Sequence, residues 1–200
     1  RYAYSNQPPI TKWNLTRFAE CLIPLIDKNE DTAIKIATDV IDNFQNIYEK
    51  KWLNMMRDKL GLFGEDKNDR KLIDDLLNWM EKNKIDYTNI FCHLMDIKID
   101  NNTYKDKTFL TWFDEWKKRS QLNNSSKEKQ IELMKKNNPI VVPRNHKVEE
   151  ALTEANNGSL EGMNKLNDIL KNPYSNQEDI AEYQVPAPTT NEKYQTFCGT

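Results

Sequence analysis

The chain has 200 residues, 38% of them hydrophobic and 30% charged, and its 29 Lys and Arg nearly balance 31 Asp and Glu for a formal net charge of −2. That balance removes the broad basic field of a general nucleic-acid binder, and no apolar run approaches the roughly 20 residues of a membrane-spanning helix. Five glycines are too few for a Gly-loop-rich α/β architecture, and the length suits one domain or one lobe of a larger protein.

Tyr2, Tyr4, Gln7 and the Pro8-Pro9 pair predict an extended arm over residues 1–9. Pro9 suits the first turn of a helix carrying Ile10, Trp13, Phe18 and Leu22 at helical spacing, and Pro24 should end or kink that helix. Asn29 to Leu60 reads as one long amphipathic helix, with Ala33, Ala37, Val40, Phe44, Ile47, Trp52 and Met56 as its stripe and Gly61 as its stop. After a loop over 62–67, Leu72, Ile73, Leu76, Leu77 and Met80 predict a helix from about Asn68 to Asn83. Asp86 or Thr88 should cap the next, which carries Ile90, Phe91, Leu94 and Met95. Phe109, Trp112, Phe113 and Trp116 share one face of another helix, and Ser126 can cap a further one ending near Asn137.

The stretch Asn138-Pro-Ile-Val-Val-Pro143 brackets three consecutive β-branched residues with prolines, so it should be extended and buried. A helix from His146 to Asn157 follows, with Asn145 as N-cap and Glu149 and Glu150 in its first turns. Asn157-Gly158 stops it, and a helix over Ser159–Lys171 ends before Pro173. A helical turn near Gln177–Ala181 gives way to Pro186-Ala-Pro188 and an extended tail over 184–200. Strand signals are nearly absent, so the fold class is all-α and residues 1–200 form a single helical lobe.

Little chemistry stands out from the residues alone. The two histidines, His93 and His146, are too few for a histidine-built metal site, and His93 falls inside an apolar pattern where packing is its commoner role. Asp96, Lys98 and Asp100 suggest a calcium loop only until Asn101 and Lys107 are found where Gly and Glu belong, so no metal ligand is assigned. No Gly-rich phosphate loop, nucleophile elbow or His-Glu-x-x-His motif occurs. Trp112 and Trp116, four apart on a helix, read as core rather than a ligand-stacking face, and Lys117-Lys118-Arg119 as a solvated helix end. Arg144 and His146 flank the Asn145 cap as structural clamps or a site, and Arg144 should pair with a carboxylate or helix carbonyls. Cys21 and Cys92 read as inert core thiols. Cys198, in a tail without helical pattern, is either an exposed redox-active thiol or one tucked under Phe197. Three cysteines without metal-ligand spacing fit a reducing compartment.

Several stretches in order resemble the C-terminal part of the SelO (YdiU) family, the selenoprotein O-like pseudokinases. They are Arg1-Tyr-Ala-Tyr-Ser-Asn-Gln-Pro-Pro-Ile-Thr-Lys-Trp-Asn-Leu-Thr-Arg17, Trp52-Leu-Asn-Met-Met-Arg-Asp-Lys-Leu60, Asp86-Tyr-Thr-Asn89, and Trp112 with Trp116 and Arg119. Asn138-Pro139, Arg144-Asn-His-Lys-Val-Glu-Glu150 and Tyr194-Gln-Thr-Phe-Cys-Gly-Thr200 complete the set. The resemblance implies the helical C-lobe of a protein-kinase-like fold with a family-specific C-terminal helical extension. Its implied parent transfers AMP from ATP, with magnesium, to protein hydroxyls, and its nucleotide-binding and catalytic groups lie upstream of Arg1. No residue of this chain matches them, so no catalytic or cofactor-binding residue is carried over and the fragment alone is expected to be inactive. Its expected partners are the missing N-terminal kinase-like portion and the parent's protein substrates, with no nucleic acid and no membrane, in the cytoplasm. The family's C-terminal cysteine matches Cys198, which implies a redox-sensitive disulfide with an upstream cysteine and none within this chain. The alternative is an autonomous helical interaction module that binds a partner through the Trp112/Trp116 face or the C-terminal tail.

Overall fold

A computed structural model describes residues 4–95, 102–122 and 125–187, and all regular structure among them is helical. The chain divides into two compact units, Arg1–Met56 and Arg57–Thr200, where the sequence predicted one lobe.

In the first unit, a 3-10 turn at Tyr4–Asn6 leads directly into α1, Gln7–Ile26. The expected arm over 1–9 is therefore helical from Tyr4, because Pro8 and Pro9 fall in the first turn, where a missing N–H leaves nothing unsatisfied. Pro24 lies in the last turn of α1, which ends two residues later at Ile26, and its missing N–H leaves the Glu20 carbonyl without a helical bond. Asn29 caps α2, Glu30–Asp42, by accepting from the Thr32 N–H at 2.9 Å. The single long helix predicted over 29–60 breaks at Asn43, between α2 and α3, Phe44–Lys59. Asp42 and Asn43 carry short polar side chains that compete with helical backbone bonds, and the Asn43 Oδ1 accepts from Asn46 Nδ2 at 3.2 Å. α1 packs against α2 yet buries no residue completely, and α2 buries only Ala33. Trp13, Phe18, Leu25 and Val40 remain 55%, 60%, 81% and 65% exposed.

The second unit holds a conventional core. α4 spans Asp69–Asn83, α5 Tyr87–Leu94 and α6 Lys107–Gln121, and Leu72, Ile73, Leu76, Ile90, Phe91 and Phe109 are buried between them. Asp86 caps α5 through the Thr88 and Asn89 N–H groups, and Asp106 caps α6 while accepting from Trp79 Nε1 at 3.0 Å. Phe109 stacks on Trp79 at 4.6 Å between ring centres, and Trp112 lies nearly parallel to Trp116 at 6.2 Å. Both α6 indoles donate to backbone, Trp112 to Leu72 O at 2.8 Å and Trp116 to Leu60 O at 2.9 Å. They are core, as their spacing predicted.

α7 spans Lys127–Asn137 with Ser126 as its cap. Gly61 turns the chain at φ +66° beneath it, and a Cβ there would strike the Gln130 and Met134 side chains. Residues 138–143 are free of helix, as the prolines predicted, but bend at Ile140 rather than running straight, with Ile140 and Val141 buried and Val142 half-buried. α8 is Asn145–Asn156, so Asn145 is its first residue rather than its cap, and Arg144 occupies the cap position without a side-chain bond to the helix. Gly158 at φ +89° separates α8 from α9, Glu161–Leu170. The last short helix, α10, covers Ala181–Gln184 instead of 177–181 and takes in the start of the expected 184–200 tail. No helix among the described residues is long and apolar enough to cross a membrane.

Candidate functional site

Two arginine–carboxylate centres, one buried and one half-buried, carry most of the specific polar chemistry of the second unit. The first surrounds Asp69, the opening residue of α4, which is fully buried. Arg57 Nε donates to its Oδ2 at 2.6 Å, while Arg119 donates from Nε to Oδ1 at 2.6 Å and from Nη2 to Oδ2 at 3.1 Å. The Asp66 N–H adds a bond to Oδ2 at 2.9 Å. Burial alone would raise the Asp69 carboxyl, but the Arg119, Asp66 and Arg57 hydrogen bonds outweigh it and hold the group below the usual carboxylate range. Arg119 also reaches Phe63 O at 3.3 Å and Gly64 O at 3.2 Å, so one guanidinium fastens the 62–68 loop to α4 and α6.

The second centre joins α5, the Pro-bracketed segment and α10. Arg144 grips Asp86 through two bonds, Nη1 to Oδ2 at 2.7 Å and Nη2 to Oδ1 at 3.0 Å. It also donates to Asn89 Oδ1 at 3.1 Å and to Tyr183 O at 3.1 Å. Asn89 Nδ2 in turn donates to Gln184 O, and Gln184 Nε2 to Ile140 O. Asp86 thus caps α5 and neutralises Arg144 with one carboxylate. Burial pushes its pKa up, and the Arg144 and backbone bonds bring it below the ordinary value. Asn145 is exposed, and His146 is half-buried with its Nδ1 enclosed and without a hydrogen-bond partner.

The remaining sequence candidates separate clearly. His93 stacks on Tyr104 at 4.1 Å, a packing position. Cys92 is buried and its thiol is pushed up to about 11, chiefly by burial. Cys21 is exposed, contrary to its reading as a core thiol, because α1 has no buried face at that position. Arg119 is likewise no solvated helix end, since the Asp69 carboxylate compensates its burial. Cys198 and the Asp96–Asp100 stretch lie outside the described residues. Sequence reasoning missed Asp69 altogether. Its available signal was a carboxylate opening a helix directly after a turn, and that signal reads equally well as an ordinary solvated helix start.

Comparison with known proteins decides the family. The family model for protein adenylyltransferase SelO matches residues 1–171. The chain belongs to the SelO family. It is 59% identical over 201 residues to the protein nucleotidyltransferase YdiU of Pelagibacter ubique (strain HTCC1062), covering 100% of this chain and 42% of that protein. To the proteins of the same name from Bacillus cereus (strain AH820) and Bacillus thuringiensis (strain Al Hakam) it is 46% identical over 202 residues, covering 100% of this chain and 41% of each. The chain therefore spans about two fifths of the length of the curated relatives it matches. The stretches that resemble SelO now have a physical reading. Arg57 and Arg119 are the two arginines that hold Asp69, and Asp86, Asn89 and Arg144 make the second centre. Asn138, from another such stretch, is fully buried and donates to Lys59 O and Met134 O, both at 2.8 Å. What this part of a SelO chain displays is architecture: polar side chains that close helix ends and loops from inside.

Proposed function

We propose that this chain is the helical C-terminal part of a SelO-type nucleotidyltransferase whose whole chain transfers AMP from ATP to Ser, Thr or Tyr hydroxyls of proteins. The observation that carries the reading is the family match across residues 1–171 within relatives named protein nucleotidyltransferase, of which this chain spans 41–42%. In that reading the second unit is a rigid brace, and the exposed apolar face of α1 and α2 packs against the parent's kinase-like portion. Trp13, Phe18 and Leu25 would give that packing its apolar anchors. ATP and magnesium belong to the parent. Among the described residues no group of three or more His, Cys, Asp or Glu side chains is placed to hold a metal ion. The parent works in the cytoplasm on protein substrates, and Cys198 is its candidate redox thiol. The chain by itself is inactive in this reading.

Trp112 and Trp116 are buried and offer no binding face, so the second reading, an autonomous interaction module that binds a partner protein without catalysis, falls to the exposed apolar side chains of α1 and α2. Incubating the whole parent and this chain separately with labelled ATP, magnesium and acceptor protein distinguishes the two. Label transferred by the parent and none by the chain supports the brace. Absence of label from both favours the module, and label from the chain alone overturns both.

A further inference from the structure

Residues 178–187, which follow the stretch matched by the family model, are tied to the second unit through side chains. Gln177 closes α9 just before them, donating from Nε2 to Ile169 O at 3.0 Å and to Asn172 O at 2.8 Å. Asp179 then turns the chain at φ +58°, a left-handed conformation that strains a residue carrying a Cβ. Beyond the turn Ile180 and Tyr183 are buried, while Ala181 and Glu182 between them are exposed. Arg144 and Asn89 take the carbonyls of Tyr183 and Gln184, and Gln184 Nε2 donates to Ile140 O at 2.9 Å. Glu182 pairs with Lys165 at 2.8 Å and approaches Lys147 at 3.8 Å.

Three features make this stretch separable from what it rests on. An isolated helix needs about 12–15 residues to persist in water. The four residues of α10 are therefore helical only while docked, so docking and folding are one event. The seat, secondly, is complete without its occupant. Arg144 has its two bonds to Asp86 and one to Asn89, and Lys147 has Glu150 at 2.7 Å, so departure of the stretch strands neither charge. Thirdly, the side toward α8 and α9 is loosely packed. A cavity of about 410 Å³ lies there, with Glu182 and Tyr183 on one wall and Ala151 and Gly162 on the other. The Glu182–Lys165 pair at this cavity joins side chains 50% and 53% exposed, a weak contact that salt screens.

We propose that residues 178–187 are a releasable strap that opens as one unit about Asp179 while the rest of the second unit stays folded. On release α10 unwinds, Ile180 and Tyr183 leave their seats together, and the Arg144 and Asn89 donors are bared to solvent. The strap thus occupies in cis a groove wide enough for one helical turn of peptide. This device is independent of the nucleotidyltransferase reading and uses none of that activity.

The test is native-state hydrogen exchange on the 200-residue chain over a series of low urea concentrations. Amides of residues 182–185 should exchange at least about tenfold faster than the interiors of α8 and α9, through an opening that urea barely promotes. Raising the salt from low to high should speed them about twofold. Glu182→Gln should give a similar gain and remove the response to salt. Ile180→Ala should speed exchange in the strap about tenfold or more and leave the urea midpoint of the unit unchanged. Exchange of residues 182–185 only in step with α8 and α9, or a midpoint lowered by Ile180→Ala, would make the stretch part of the core and overturn the proposal. A strap indifferent to both salt and Glu182→Gln would overturn the role given to the charge pair.

Discussion

Asp69→Asn tests the claim that one carboxylate organises the 57–69 turn and the end of α6. The substitution preserves shape but removes the charge facing two arginines whose side chains are only 9% and 7% exposed. Of the four bonds Asp69 accepts, those at one oxygen would face an NH₂ group instead. Removing one partner of a buried ion pair costs about 3–5 kcal/mol, because the remaining charge stays buried and uncompensated. A domain with a total stability of about 5–15 kcal/mol would survive, but visibly weakened. With a urea m-value of about 2 kcal/mol/M, the midpoint should fall by roughly 2 M. Urea titration followed by far-UV circular dichroism and tryptophan fluorescence reads that shift. Arg70→Ala, which breaks an exposed ion pair on the same helix, should leave the midpoint essentially where it was.

The same carboxylate predicts a pH dependence. Folding lowers the Asp69 pKa, so its stabilisation is complete above the unfolded value of about 3.9 and drains away as pH falls through the folded one. Wild type should lose stability on acidification below about pH 4, and Asp69→Asn should be flatter over that limb. A midpoint shift under 0.5 M, or parallel acid limbs in both proteins, would refute the account.

Arg144→Lys should cost about 2–3 kcal/mol, since an ammonium cannot reproduce the paired bonds to Asp86 together with those to Asn89 and Tyr183. Hydrogen exchange should then quicken first in α10 and at the start of α5, and uniform quickening across the unit would argue against a local clamp. For the thiols, maleimide labelling with peptide mapping at pH 8 should modify Cys21 within minutes and leave Cys92 intact until urea is added, given its burial and a pKa near 11. Equal rates at the two positions would show that the α5 core opens freely.

Helix positions in the second unit were largely legible because Leu72, Ile73, Leu76 and Met80 repeat at helical spacing and Asp86 and Ser126 sit where caps belong. The Pro-bracketed break between helices was equally plain, since backbone restriction is a local property. Errors arose where a local rule met a position effect. Pro8 and Pro9 fall in a first turn that tolerates them, α1 runs two residues past Pro24, and Asn43 interrupts an apolar stripe that continues undisturbed on either side. Arg144 was legible as a clamp candidate because it stands beside a helix start with apolar neighbours. Its partners were not, since Asp86 lies 58 residues away and nothing local marks the pairing. The Asp69 centre was hidden for the same reason: Arg119 reads as the end of a basic run until a carboxylate 50 residues earlier is placed beside it.

The turn at Lys59–Leu62 has a consequence for how this chain can change in length. Two successive carbonyls there are claimed by side chains from distant segments, Lys59 O by Asn138 Nδ2 and Leu60 O by Trp116 Nε1. Inserting or deleting even one residue would slide both acceptors away from donors fixed in other elements, and would lift Gly61 off α7. That corner is a fixed gauge. At the other extreme stands Gly158, where a Cβ would meet nothing within 4 Å. An epitope or fluorophore spliced into the α8–α9 turn has open space to occupy, whereas the same graft at Gly61 would have to displace a helix.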